Sequence, residues 1–152
     1  MDQERQKIDQ ILDVVFLHFK LCGDRLLKLT VRAKAAAAGK LNLTSEQLES
    51  QETAITYEKT VVETAIMRTV EQWLDETEAS YLVSDKVSVA DLAVYHALKQ
   101  ALVFGQMEID AAVYPRLSEW YGWIEEMWQE GQLKGKQQFS ELCDRISGDD
   151  AA

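Results

Sequence analysis

Apolar residues recur every three or four positions along the first 38 residues of this chain, which is the spacing of one face of an α-helix. This stripe consists of Ile8, Leu12, Val15, Phe19, Cys22, Leu26, Leu29 and Ala33. A second apolar stripe consists of Val14, Phe16, Leu17, Leu21, Leu27 and Val31. The helix is therefore expected to contact more than the core of its own domain. Because it would extend about 50 Å if straight, we expect a bend near Gly23.

A second long helix is predicted after a short connection that begins at Gly39. Thr44 and Gln47 have the spacing of a capping box, in which each side chain bonds to a backbone N–H of the other residue. Apolar residues then follow at helical spacing from Leu48 to Trp73. Two long helices joined by so short a connection are expected to pack antiparallel.

The remainder of the chain predicts a buried central helix and further short ones. Ser88 and Asp91 have capping-box spacing at the start of a largely apolar segment. Another helix is expected from Pro115 to a break at 131–135, followed by a short helix up to residue 147. The predicted fold is all-α: two long antiparallel helices, a buried central helix and two to three shorter helices. One domain is expected over residues 1–147, with a disordered tail over 148–152.

Composition and charge exclude several classes of function. The formal charge is −10, and an acidic chain repels phosphate backbones and anionic lipid headgroups. We therefore expect neither nucleic acid nor a membrane as a partner, and no apolar run is long enough for a membrane span. Cys22 and Cys143 do not have the spacing of a CxxC motif, so the sequence contains no metal-binding or disulfide motif. Two unpaired cysteines are consistent with a protein of the reducing cytoplasm.

No residue pattern indicates a catalytic or metal site. Ser88 and Asp91 could be mistaken for a catalytic pair, but a capping box would engage both with backbone amides. His18 and His96 lie far apart in the chain without an accompanying nucleophile, and we interpret them as a rim residue and an interior or boundary residue. The sequence therefore predicts no catalytic residue and no metal ligand.

Three segments resemble one known family. The most specific reads Tyr81-Leu82-Val83-Ser84-Asp85-Lys86-Val87-Ser88-Val89-Ala90-Asp91-Leu92. It closely resembles the signature of glutathione transferase C-terminal domains, with Ser84 in place of the usual Gly. The segment Tyr114–Tyr121 resembles the family's Tyr-Pro and Trp motif, and Lys7–Asp13 is similar to the opening of this domain in theta-like transferases. The resemblance covers roughly residues 7–145 and implies a glutathione transferase C-terminal-like helical bundle.

This resemblance implies a part in the conjugation of glutathione to small hydrophobic electrophiles. In the family, a thioredoxin-like N-terminal domain binds and activates glutathione, the co-substrate. The helical half contributes the hydrophobic-substrate wall and much of the dimer interface. The resemblance starts at the first helix of that half, so the thioredoxin-like domain is expected to be missing here and the chain alone to be inactive, without a cofactor of its own. The implied substrate-binding residues are Phe16, Phe19, Lys20 and Gly23, and a homodimer is a possible assembly.

Two other functions stay open. Similar helical domains serve as non-catalytic interaction modules in aminoacyl-tRNA synthetase complexes and in elongation-factor gamma subunits, and Asp91–Tyr95 resembles those members too. An initiator Met directly before the domain fits such a one-domain protein, and the coding sequence upstream of Met1 would discriminate. The third function is a ligandin-like binder of apolar molecules that uses the second stripe as a pocket wall. The length of the first helix favours the enzyme family.

Overall fold

The computed structural model describes residues 2–150, apart from the side chains of Leu133, Lys136, Phe139 and residues 147–150. The described residues form helices and connections without a strand, so the all-α prediction is confirmed. The chain divides into two compact units, Met1–Trp120 and Tyr121–Ala152. None of the described helices combines the length and the apolar character that crossing a membrane requires.

Two long helical runs come first, and each contains one π-helical segment. The first run comprises α1 (Asp2–Val14), a π segment (Val15–Phe19) and α2 (Lys20–Ala37). The second run comprises α3 (Ser45–Val62), a π segment (Glu63–Met67) and α4 (Arg68–Glu76). Two further helices follow, α5 (Val89–Gly105) and α6 (Pro115–Asp150).

The sequence predicts a bend near Gly23, which lies inside the regular helix α2. The departure from α-helical geometry in the first run lies earlier, at its π segment. Ile11, Val15 and Phe19 are buried at successive spacings of four residues. Such spacings exceed the 3.6 residues of an α-helical turn, and the wider π turn absorbs the excess. Leu12, which the simple period places on the inward face, is only half-buried.

Helix α5 is the buried central helix that the sequence predicts. Val94, Tyr95, Leu98 and Ala101 are completely excluded from solvent. Helix α2 contacts both α5 and α3, and its Leu26 is also completely buried. The core of the first unit therefore lies between the two long runs and α5.

The carboxylate of Asp91 joins three parts of the first unit. Asp91 is completely buried, and Ser88 is the N-cap residue of α5 in a capping box with it. The Ser88 N–H and hydroxyl donate to Oδ2 over 2.9 and 3.0 Å. The Leu82 N–H and the Trp120 indole N–H donate to Oδ1 over 3.0 and 2.9 Å. Four donors thus satisfy a charge that would otherwise be costly to bury.

A second carboxylate caps the start of α6. Pro115 opens this helix, and the N–H groups of the next two residues, Arg116 and Leu117, donate to Glu71 over 3.2 and 2.6 Å. The negative charge lies at the positive end of the helix dipole, where it is favourable. The Tyr114 hydroxyl, next to Pro115, donates to Glu63 over 3.0 Å. The second helical run thereby holds the first turn of α6 at two points.

The predicted break at residues 131–135 is wrong, because α6 is continuous from Pro115 to Asp150. A Gly inside a helix costs about 1 kcal/mol relative to Ala. Gly131 and Gly135 are flanked by good helix formers such as Gln132 and Lys134, which offset that cost. A disordered tail is predicted over residues 148–152. The side chains of these residues, and also the backbone of residues 151–152, lie outside the part of the chain that the structure describes.

Candidate functional site

A pocket of about 260 Å³ opens between the first helical run and α5. Its lining consists of Val15, Phe16, Phe19, Lys20, Gly23, Ala93, His96, Ala97 and Gln100. The four residues that the resemblance implies as a substrate wall, Phe16, Phe19, Lys20 and Gly23, thus lie around one pocket. Their binding role stays a prediction.

The first π segment places two phenyl rings in different surroundings. Phe19 is 1% exposed, and its ring centroid lies 5.7 Å from that of Trp73. Phe16 is 61% exposed. One ring is therefore fixed in the core beneath the pocket, whereas the other stands at the solvent-exposed edge of the pocket.

Small residues keep the pocket open. Gly23 is buried, yet a Cβ atom added to it would meet no atom within 4 Å apart from its chain neighbours and the backbone of its own helix. Ala93 and Ala97 lie one helical turn apart on α5 and also line the pocket. A larger side chain at Gly23 would project into this space.

The polar groups of the pocket are Lys20, His96 and Gln100. Lys20 is exposed and forms no ion pair with the residues that the structure describes. His96 is exposed rather than interior, with its ring edge-on to Tyr95 at 5.2 Å between centroids. Tyr95 occupies the inward position instead and accepts a hydrogen bond of 3.0 Å from the Lys99 ammonium.

The residues that line the pocket include no activated nucleophile. Burial raises the pKa of the Cys22 thiol; the nearby Arg25 opposes this shift and Glu58 adds to it. Such a thiol is protonated at neutral pH and unreactive. Ser88 and Asp91 are engaged in the capping box. In the described part of the chain, no three His, Cys, Asp or Glu side chains are placed to hold a metal ion.

Reasoning from the sequence missed the α5 side of the pocket. Ala93, His96, Ala97 and Gln100 recur at spacings of three and four, so they share a face of α5. The small residues Ala93 and Ala97 on that face could have indicated close approach of a second helix. Nothing local in the sequence shows that α2 is the helix that approaches.

Comparison with known proteins supports a family. No curated protein and no solved structure matches the chain significantly. Residues 37–130 match the family described as glutathione S-transferase, C-terminal domain. The matched segment includes α3, α4, α5 and the capping box of Ser88 and Asp91. Because the match extends over more than half of the chain, this protein belongs to the glutathione S-transferase C-terminal domain family.

Proposed function

We propose that this chain is the helical, substrate-binding half of a theta-like glutathione transferase. The observation that carries the proposal is the pocket around which Phe16, Phe19, Lys20 and Gly23 lie together. Its lining is mostly apolar with a few polar groups, which is typical of sites for small organic ligands. The expected ligand is a small hydrophobic electrophile, with glutathione as the co-substrate.

This half supplies apolar contacts and orientation, and a thioredoxin-like domain supplies activation of the thiol. Lys20 adds one positive charge at the pocket, but an ammonium lacks the bidentate geometry of a guanidinium. The bond to be formed is a thioether between the glutathione sulfur and an electrophilic carbon, which needs a stabilised thiolate. We therefore expect conjugation only when this chain acts together with such a domain, in the cytoplasm, and within a homodimer or with a partner chain.

Binding is tested by titrating the chain with a neutral dinitrophenyl halide and recording tryptophan emission. Trp73 lies against Phe19, so a ligand in the pocket is expected to quench its fluorescence. Gly23→Leu fills the open space and should weaken binding by about tenfold, or 1.4 kcal/mol. Gly131→Leu changes an exposed glycine that also has open surroundings and should have no effect. Unchanged affinity of Gly23→Leu would contradict the proposal.

The same titrated mixture tests catalysis. With glutathione added, the chain alone should conjugate the halide at the uncatalysed rate. A rate clearly above that level would show that the helical half activates the thiol itself, against the proposed division of roles.

The alternative is a non-catalytic interaction module like those of aminoacyl-tRNA synthetase complexes and elongation-factor gamma subunits. The observation in its favour is the exposed apolar group Phe16, Leu17 and Leu21, with exposures of 61%, 63% and 52%. Apolar side chains grouped on a surface often mark a contact site. Leu17→Glu with Leu21→Glu should abolish capture of a partner from a native extract if this alternative holds. A ligandin-like binder would use these residues as its pocket wall, so the same variants should instead lose affinity for apolar ligands and show no partner.

A further inference from the structure

The pocket between the first helical run and α5 differs in charge from the chain as a whole. The chain has a formal charge of −10. None of the described residues that line the pocket is Asp or Glu, whereas Lys20 and His96 both line it. A cleft whose walls carry charge of one sign attracts ligands of the opposite sign. The pocket therefore favours an anion, although the acidic chain around it repels one.

Lys20 supplies the positive charge of the pocket. Its side chain is exposed and forms no ion pair within the described part of the chain. The next carboxylate along α2 is that of Asp24, which does not line the pocket. The ammonium of Lys20 is therefore left for a ligand, in contrast to that of Lys99, which donates to the Tyr95 hydroxyl over 3.0 Å.

The α5 wall adds hydrogen-bond donors across the pocket from Lys20. His96 and Gln100 lie about one helical turn apart on α5, and both line the pocket. A side-chain amide and an imidazole in either protonation state each carry at least one N–H donor. A carboxylate has two oxygens with about four acceptor positions. One such group can therefore accept from both walls at once.

The rest of the lining is apolar and encloses little space. It consists of Val15, Phe16, Phe19, Ala93 and Ala97. The volume of about 260 Å³ lies below the range of about 300–1,000 Å³ that is usual for ligand pockets. This space suits a ligand built on a single aromatic ring rather than a fused ring system or a long acyl chain.

We infer that the electrophile bound in this pocket is a small aromatic carboxylate, and that Lys20 determines the preference for its charge. The inference rests on the proposed function and names its substrate class. One ammonium matches the single charge of a carboxylate, whereas a phosphate monoester carries nearly two charges at neutral pH. The carboxylate is not the reacting group: it is held by Lys20, His96 and Gln100, and it orients the ring between Phe16 and the α5 wall.

The first measurement compares two unreactive ligands of nearly equal shape, 3,5-dinitrobenzoate and 3,5-dinitrobenzamide. Isothermal titration calorimetry of the full chain gives the affinity of each. The benzoate should bind roughly fivefold more tightly than the benzamide, near the upper range for an exposed ion pair. Salt should weaken binding of the benzoate toward that of the benzamide and leave the benzamide unchanged. Equal affinities at low salt would overturn the inference.

Substitutions at Lys20 assign the preference to one side chain. Lys20→Met keeps most of the apolar stem and removes the charge, so the benzoate should lose its advantage while affinity for the benzamide stays the same. Lys20→Arg keeps the charge and should keep the preference. Lys28→Met is the matched control, because Lys28 is an exposed lysine of α2 that does not line the pocket. If Lys28→Met abolished the preference as Lys20→Met does, the charge of the chain and not Lys20 would be the cause.

Gly23→Leu separates this inference from the proposed function. It fills the pocket and should weaken the benzoate and the benzamide alike. If the native chain binds both ligands equally and Gly23→Leu weakens both, the pocket keeps its proposed role and the charge preference alone is wrong. If neither ligand binds the native chain, the proposed function and the inference fail together.

Discussion

The indole N–H of Trp120 donates a hydrogen bond of 2.9 Å to the completely buried carboxylate of Asp91, 29 positions earlier in the chain. The same oxygen accepts the Leu82 N–H at 3.0 Å. Asp91→Ala leaves these buried donors without a partner, so we expect the free energy of unfolding to fall by about 3–5 kcal/mol. Asp91→Asn keeps one acceptor oxygen and should cost less. Urea denaturation followed by circular dichroism measures both.

Asp75→Ala is the control for the Asp91 variants, because Asp75 is an exposed carboxylate on α4. It should change the free energy of unfolding by no more than about 0.5 kcal/mol. Similar losses for Asp75→Ala and Asp91→Ala would show that the four hydrogen bonds contribute no specific stability.

Glu71 should stabilise the start of α6, although it lies about 45 residues before that helix in the sequence. Glu71→Ala removes the acceptor for two backbone N–H groups, and we expect a loss of about 1–2 kcal/mol, as for other helix caps. Glu76 lies on the same helix but is exposed, so Glu76→Ala is the matched comparison. It should lower the free energy of unfolding by only a few tenths of the loss for Glu71→Ala. If Glu71→Gln were as damaging as Glu71→Ala, acceptance by the side-chain oxygen would not be the cause.

Two glycines should respond in opposite ways to the same substitution. Gly23 lies in α2 with open space around its Cβ position, so Gly23→Ala should stabilise the chain by about 0.5–1 kcal/mol. Gly39 has a φ of 75°, a conformation that strains any L-residue, so Gly39→Ala should destabilise by about 1 kcal/mol. Thermal unfolding of the two variants checks the signs, and equal signs would contradict the assigned backbone conformations.

Tyr114 should make stability depend on alkaline pH. Burial, and next the adjacent Glu63 carboxylate, raise the pKa of its phenol above the ordinary value of 10. Because the folded pKa exceeds the unfolded one, this stabilisation is complete below about pH 10 and is lost as pH rises through the folded pKa. The difference in unfolding free energy between the native chain and Tyr114→Phe should therefore shrink above pH 10. A difference that stays constant from pH 7 to 11 would exclude the linkage.

Local spacing in the sequence predicts the capping pairs because both partners lie three residues apart. Thr44 with Gln47 and Ser88 with Asp91 form capping boxes in the structure. The other donors to Asp91, and the cap of α6 by Glu71, join residues that are distant in the sequence, so no local pattern reveals them. The π segments escape prediction for a related reason, since they depend on which helices pack against Val15 and Phe19.

One of the two walls of the pocket could be predicted from the sequence. Phe16, Phe19, Lys20 and Gly23 follow from the family resemblance of the first helix, and the structure places them together. The opposite wall depends on how α5 packs across α2, and the four-residue spacing of the small residues Ala93 and Ala97 permits this packing without specifying it. At Gly131 and Gly135 the error is the opposite one. The two glycines predict a break, but the helix-forming residues around them keep α6 continuous.

Asp91 also sets a lower limit on how far the polypeptide can be shortened. Its donors come from Leu82, Ser88 and Trp120, so the shortest fragment that keeps all of them must extend at least to Trp120. A version that stopped earlier would retain every helix up to α5 and yet carry an under-solvated anion at its centre. Recombinant truncations and gene fusions of this protein should therefore place their junctions beyond that tryptophan.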